Sequence, residues 1–154
     1  MPVDQSFVGR VYPPTPPYEV SREKIREYAR AIRDESPAYF DPEAAKALGY
    51  PDVIAPPSFP MIISLEAERQ VVYDPELGAR EQVRFVHREQ RFAYRRPIIA
   101  GDVITATVTI ANVAAIADAD VITFETKIAT VEGEHVCTAS ATFVMYAASE
   151  GAAL

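Results

Sequence analysis

From about residue 82 almost to its end, this chain repeats apolar residues at every second position, the period of a pleated strand that buries one face. Residues 83–96 make a first long run whose apolar phase slips between Phe85 and Phe92, and a bulge near His87 accounts for the slip. Gly101-Asp102 reads as a turn, after which Ile104, Ala106, Val108 and Ile110 alternate with Val103, Thr105, Thr107 and Thr109. Beyond a loop at Asp118-Ala-Asp, the stretch from Val121 to Val131 sets Ile122, Phe124 and Ile128 on one face. Glu132-Gly133-Glu134 is a tight turn, and residues 135–146 align Cys137, Ala139, Ala141, Phe143 and Met145. Strands rich in Val, Ile, Thr and Phe and joined by short turns form an antiparallel meander.

The first half has another grammar. Pro13-Pro14-Thr15-Pro16-Pro17 cannot enter a helix or a central strand, so residues 8–20 read as an extended arm. Ser21 to Arg33 reads as a helix: Ser21 is an N-cap, Glu23 sits in the first turn, and Ile25, Tyr28, Ala29 and Ile32 form one stripe. Pro37 ends any continuation. A short helix follows, with Asp41 as N-cap, Pro42 at its first position and Gly49 just past its end. Val53-Ile54-Ala55-Pro56-Pro57 is extended, because a residue before proline avoids the helical region.

Ser58 to about Arg69 reads as a third helix. Phe59, Met61, Ile62, Ile63 and Leu65 make its first half apolar nearly all round, which requires burial all round; Glu66, Glu68 and Arg69 are expected to emerge into solvent. Helices followed by a run of strands indicate an α+β fold. The small residues Ala139 and Ala141 leave room for something packed closely on their face. A curved antiparallel sheet wrapped around the central buried helix satisfies all of these patterns.

Bulk properties narrow the function. A length of 154 residues implies one domain, with an arm over about 1–20, a core over about 21–147 and a short tail over 148–154. A formal net charge of −7 argues against nucleic acid and anionic membrane as partners. The lone Cys137 cannot form an internal disulfide, and it reads as a small core residue. Met1-Pro-Val-Asp-Gln-Ser-Phe lacks the basic and apolar segments of a signal peptide, so a cytoplasmic protein is the expectation. No phosphate loop, dinucleotide fingerprint, paired-cysteine motif or serine elbow is present. No cofactor or metal is expected, since His87 and His135 have no metal-binding company.

Three blocks carry a family resemblance: Val8-Gly9-Arg10 with Tyr18-Glu-Val; Tyr28-Ala-Arg-Ala-Ile-Arg-Asp34-Glu-Ser-Pro-Ala-Tyr-Phe-Asp-Pro42; and Val86-His-Arg-Glu-Gln-Arg-Phe-Ala-Tyr-Arg-Arg-Pro97 leading to Ala100-Gly-Asp102. On these blocks the chain resembles the MaoC-like hydratase/dehydratase branch of the hotdog superfamily. It looks closest to the single-hotdog accessory subunits of actinobacterial (3R)-hydroxyacyl-ACP dehydratases, with a FAS1-like dehydratase domain. The middle block of catalytic members reads Gly-Asp-x-Asn-Pro-x-His-x-Asp-Pro. Here the Asp falls on Asp34, the Asn on Ser36, the first Pro on Pro37 and the closing pair on Asp41-Pro42, while the Gly falls on Arg33 and the His on Tyr39.

The resemblance implies a subunit of a (3R)-hydroxyacyl-ACP/CoA dehydratase in fatty-acid metabolism that binds substrate but lacks the histidine. Its partners would be an acyl thioester and a second hotdog subunit, in a heterodimer or a homodimer. Dehydration needs a base near neutral pKa and a proton donor beside the same two carbons. Histidine does such work at cytosolic pH, and a phenol with an ordinary pKa of about 10 does not. The thioester oxygen also needs backbone N–H donors, expected near Ser58-Phe59, although Pro56, Pro57 and Pro60 remove three of them. Phe59, Ile62 and Ile63 are expected along the acyl chain, and Arg95 and Arg96 near phosphates.

Each candidate has a second reading. Asp34 is half of a catalytic pair or a turn residue closing the first helix. Tyr39 is a hydrogen-bond donor or a packed aromatic, His87 a displaced base or a structural histidine, and the two arginines are phosphate ligands or surface partners of carboxylates. The alternative functions are a self-sufficient homodimeric enoyl-CoA hydratase and a non-catalytic acyl-CoA binding protein. A thioesterase is disfavoured by the outward placement expected for Glu66 and Glu68.

Overall fold

A computed structural model describes residues 3–77, 83–117 and 119–147. The expected Asp118 turn, the tail over 148–154 and the first two residues of the arm lie outside the described residues. The helices are α1 (Arg22–Ala31), α2 (Pro42–Ala47) and α3 (Met61–Val72), and the strands are β1 (Tyr18–Glu19), β2 (Val83–Tyr94), β3 (Val103–Ile116), β4 (Ala119–Thr130) and β5 (His135–Ala147). The strands form one antiparallel sheet in the order β1-β3-β4-β5-β2. That sheet curls around α3 in the hotdog arrangement, as expected.

Alternation along each strand decides which side meets the helix. Ile104, Ala106, Val108 and Ile110 of β3, Ile122, Phe124 and Ile128 of β4, and Cys137, Ala139, Ala141, Phe143 and Met145 of β5 are all buried. The register of β2 shifts between His87 and Glu89, which is the expected bulge. β4 begins at Ala119, two residues before the expected start at Val121.

The proline-rich arm lies along β3. Gly9 N–H donates to Ile110 O at 2.8 Å, Tyr12 N–H to Val108 O at 3.0 Å and Thr15 N–H to Ala106 O at 2.9 Å. The four neighbouring prolines have no N–H to offer, so an edge, where such groups need no partner, is the place this segment can occupy.

The third helix departs from expectation in two ways. It starts at Met61, with Pro60 as its cap, and runs on to Val72. Phe59 precedes a proline and is steered away from helical geometry, so 58–60 form turns instead: Phe59 N–H bonds Pro56 O and Met61 N–H bonds Ser58 O. Second, Glu68 does not emerge into solvent; it is 1% exposed, whereas Glu66 and Arg69 are exposed as expected. Ile63, Ala67 and Val71 form one buried row, and Ser64 and Glu68 form the next row at the same four-residue spacing, which turns Glu68 toward β4. Nor is the first half buried all round, since Met61, Ile62 and Leu65 stay half-buried. Among the described residues no helix is long and apolar enough to cross a membrane.

Candidate active site

The loop after α1 is built by the helix's own termination. Arg33 adopts φ 59°, its N–H bonds Arg30 O at 3.1 Å, and the Asp34 N–H bonds Ala29 O at 2.9 Å. This paired closure around a left-handed residue is a Schellman end. It leaves the Asp34 carboxylate free to accept from the Ser36 N–H at 3.2 Å, which starts the short 3-10 turn Pro37–Tyr39. The turn is pinned from behind by Ile54 N–H on Ala38 O and by the Arg26 guanidinium on Phe40 O. Asp41 then caps α2 by accepting from Glu43 N–H, which confirms the structural reading of Asp41-Pro42.

Asp34 thus closes a turn, and its charge lies near the Tyr39 side chain. The Tyr39 side chain is buried, and burial, followed by the charge of Asp34, pushes its phenol above its ordinary pKa. The proton stays on Tyr39 at neutral pH, so the position can donate a hydrogen bond and cannot accept an α-proton.

Two further tyrosines close on the same spot. The Tyr28 hydroxyl donates to Ser58 O at 3.0 Å and lies 3.0 Å from Ser58 Oγ, while its ring meets Phe59 edge-on at 5.4 Å. The Tyr94 hydroxyl donates to Pro57 O at 2.7 Å. Burial, with Cys137, Tyr28 and Tyr39 nearby, drives the Tyr94 pKa far upward. The hydroxyls of Tyr28 and Tyr94 thus both bond carbonyls of the 56–60 turn. Tyr28 is visible in sequence only as part of a helical stripe and Tyr94 only as a strand residue; their convergence is a product of the fold.

The amides of that turn are mostly committed. Phe59, Met61, Ile62 and Ile63 N–H groups all bond the carbonyl three residues back, leaving the Ser58 N–H without an intrachain partner among the described residues. Phe59 and Ile63 are packed core side chains, 0% and 4% exposed, so of the three residues expected along an acyl chain only Ile62 shows a half-open surface.

His87 is remote from this cluster. Its ring stacks on Phe143 at 4.5 Å, its Nε2 pairs with Glu89 O at 3.0 Å, and it stands seven residues up β2 from Tyr94, roughly 23 Å along the strand. His135 pairs with the Thr138 hydroxyl. Of the two arginines, Arg96 follows the structural reading: all five of its N–H donors are taken, by Asp102, Glu134 and Pro97 O. Arg95 is exposed. Cys137 is fully buried and its thiol is pushed up to about 11 by burial, as suits a core residue. Among the described residues no cluster of His, Cys, Asp and Glu is arranged to hold a metal.

A curled sheet around a central helix, with a carboxylate loop at the mouth, defines a protein of the MaoC-like hotdog dehydratase class. Within it, the chain belongs to the family described as "FAS1-like, dehydratase domain region", whose model matches residues 6–139. A UPF0336 protein of Saccharopolyspora erythraea is 55% identical over 150 residues, covering 97% of this chain and 96% of that protein. Among solved structures, a "MaoC-like dehydratase" superposes with TM-score 0.85 at 34% identity, covering 93% of this chain and 43% of that one, so this chain spans less than half of its length. The HadBC (3R-Hydroxyacyl-ACP Dehydratase) complex of Mycobacterium tuberculosis superposes with TM-score 0.80 at 31% identity, covering 90% of this chain and 96% of that chain.

Proposed function

We propose that this chain is the substrate-holding subunit of a (3R)-hydroxyacyl-thioester dehydratase, and that a second hotdog chain brings the catalytic histidine. The observation that carries this reading is the Asp34–Tyr39 pair: the carboxylate of the family loop is kept, and a phenol that holds its proton stands where the imidazole belongs. The naming of a 31% identical relative as a dehydratase complex supports a partner of the same kind.

In the reaction, a base takes the α-proton, the bond from the β-carbon to its hydroxyl oxygen breaks, the oxygen leaves as water with an added proton, and the double bond forms between the two carbons. A single imidazole near its ordinary pKa serves both proton steps. This chain's own groups do the holding. The Ser58 N–H and the hydroxyls of Tyr28 and Tyr94 surround the thioester mouth, and the half-buried side of α3 at Met61, Ile62 and Leu65 receives the acyl chain. The edge of β2, terminal in the sheet, pairs with the second chain and so loses its exposed backbone groups.

The test is hydration of a short enoyl-CoA by the purified chain, alone and after co-expression with a histidine-bearing hotdog subunit from the same organism. Activity should appear only in the co-purified complex. Turnover at ordinary enzyme rates by the chain alone would reject the reading.

A further inference from the structure

The outer face of β2 carries a charge pattern that the site does not use. Arg84 shares a face with Tyr146 of β5, Val86 with Val144 and Arg91 with Ser140, all on the side of the sheet away from α3. Arg88 joins them at the bulge, and Arg95 follows at the end of the strand. All four arginines are exposed, in a chain whose net charge is −7. The acids on the same face are Glu89, 3.9 Å from Arg88, and Glu125 on β4, with Lys127 two residues further along. Arg84 lies over the Tyr146 ring at 5.4 Å, and among the described residues neither Arg84, Arg91 nor Arg95 has an ion pair.

At the Arg84–Arg88 end of this row lies an open groove of about 450 Å³ walled by Val86, Ile116, Val121, Val144 and Tyr146, with Arg88 at its rim. An apolar patch bordered by arginine and tyrosine has the composition of a protein interface. We infer that this face docks an acidic helix of a small partner protein, which in the context of the dehydratase reading is the acyl carrier protein that brings the thioester.

Length decides between a protein and a coenzyme. Arg84 and Arg95 stand eleven residues apart on an extended strand, roughly 35 Å. An α-helix of 20 residues spans about 30 Å and can present acids along most of that line. The phosphates of a coenzyme A cluster on one nucleotide and would engage one end of the row. The apolar groove offers nothing to a nucleic-acid backbone, and the acidic remainder of the chain repels a long polyanion. Geometry also connects the surface to the site: Arg95 adjoins Tyr94, whose side chain turns inward to Pro57, so the row ends at the mouth. Docking on the face leaves the edge of β2 open for a second hotdog chain.

That the partner is a carrier protein rests on the function proposed above; that it is an acidic protein does not. The experiment separates the two. Holo-acyl carrier protein is titrated onto the full chain, co-purified with its hotdog partner, and compared with Arg84→Glu/Arg88→Glu/Arg91→Glu. The wild-type complex should bind, more weakly as salt rises from about 0.05 to 0.5 M. The triple variant should bind about tenfold more weakly or worse, with the KM for an enoyl-carrier-protein substrate rising in step and kinetics on the matching enoyl-CoA unchanged.

Binding that is lost in the variant, without turnover of either thioester by either form, would keep the docking surface and reject the dehydratase reading. Equal binding by both forms, or equal loss on both thioesters, would overturn the surface. So would a single-stranded DNA that binds the same arginines as tightly, or a change in sedimentation showing that the face joins two copies of this chain.

Discussion

The Thr126 hydroxyl lies 3.5 Å from one carboxylate oxygen of Glu68, and the second oxygen meets no donor among the described residues. Burial between α3 and β4 pushes this carboxyl up to about 7, and the neighbours that lower it, Ser64 and Thr126, are uncharged. A raised acid pKa in the fold means that the neutral form is the stable one. Its full stability holds below the unfolded value of about 4.5, declines as pH rises toward 7, and levels off above. The loss amounts to about 3 kcal/mol. Glu68→Gln should flatten this slope, so that urea midpoints at pH 5.5 and 8.5 converge; a variant that keeps the wild-type pH dependence would refute the assignment.

Arg33 stands at φ 59°, where a side chain crowds its own backbone. The catalytic members of the family place glycine here. Arg33→Gly should therefore stabilise the chain by about 1 kcal/mol, read as a rise in the thermal midpoint, because relief of the strained turn outweighs the extra freedom of glycine in the unfolded chain.

Arg96 ties three turns together, with Nη1 and Nη2 on Asp102 at 2.8 and 3.0 Å and Nε and Nη2 on Glu134, both at 2.9 Å. A lysine cannot reproduce a planar five-donor fork. Arg96→Lys should cost about 2 kcal/mol in denaturant unfolding. Glu134 is 58% exposed, so Glu134→Gln should leave the denaturant midpoint nearly unchanged, whereas the Asp102 half carries the effect.

Tyr39→His restores the imidazole beside Asp34. The isolated variant should still fail to hydrate an enoyl-CoA at ordinary enzyme rates, since the amides of Phe59, Met61, Ile62 and Ile63 are spent within their own turns and few donors remain for the thioester oxygen. Robust turnover by this variant would show that the histidine was the sole missing part.

Much of the architecture was legible in the residues. Alternation along 103–110 and 135–146 named the buried rows of β3 and β5, because a pleat has a fixed period and one wet side. Ser21, Asp41 and Pro42 marked helix starts for local reasons, since a cap bonds amides two or three residues away. The bulge at His87 showed as a break in phase. The helix expected over 58–69 starts three residues later, at Met61, and runs three residues further, to Val72, because Pro60 closes the helical region to Phe59.

By itself, then, the sequence determined the order of elements, the inward rows of the sheet and the presence of an Asp34 loop without its histidine, all of which depend on neighbours a few positions apart. Only the tertiary structure decided that Glu68 is enclosed, that Tyr28 and Tyr94 meet at the Pro57-Ser58 turn, that Arg96 is fully engaged, and that the arginines of β2 share one open face. Each of those outcomes depends on how a helix is rotated against a sheet or how distant turns meet. Burial and charge pairing at such junctions are set by packing across the whole chain, which no local pattern encodes.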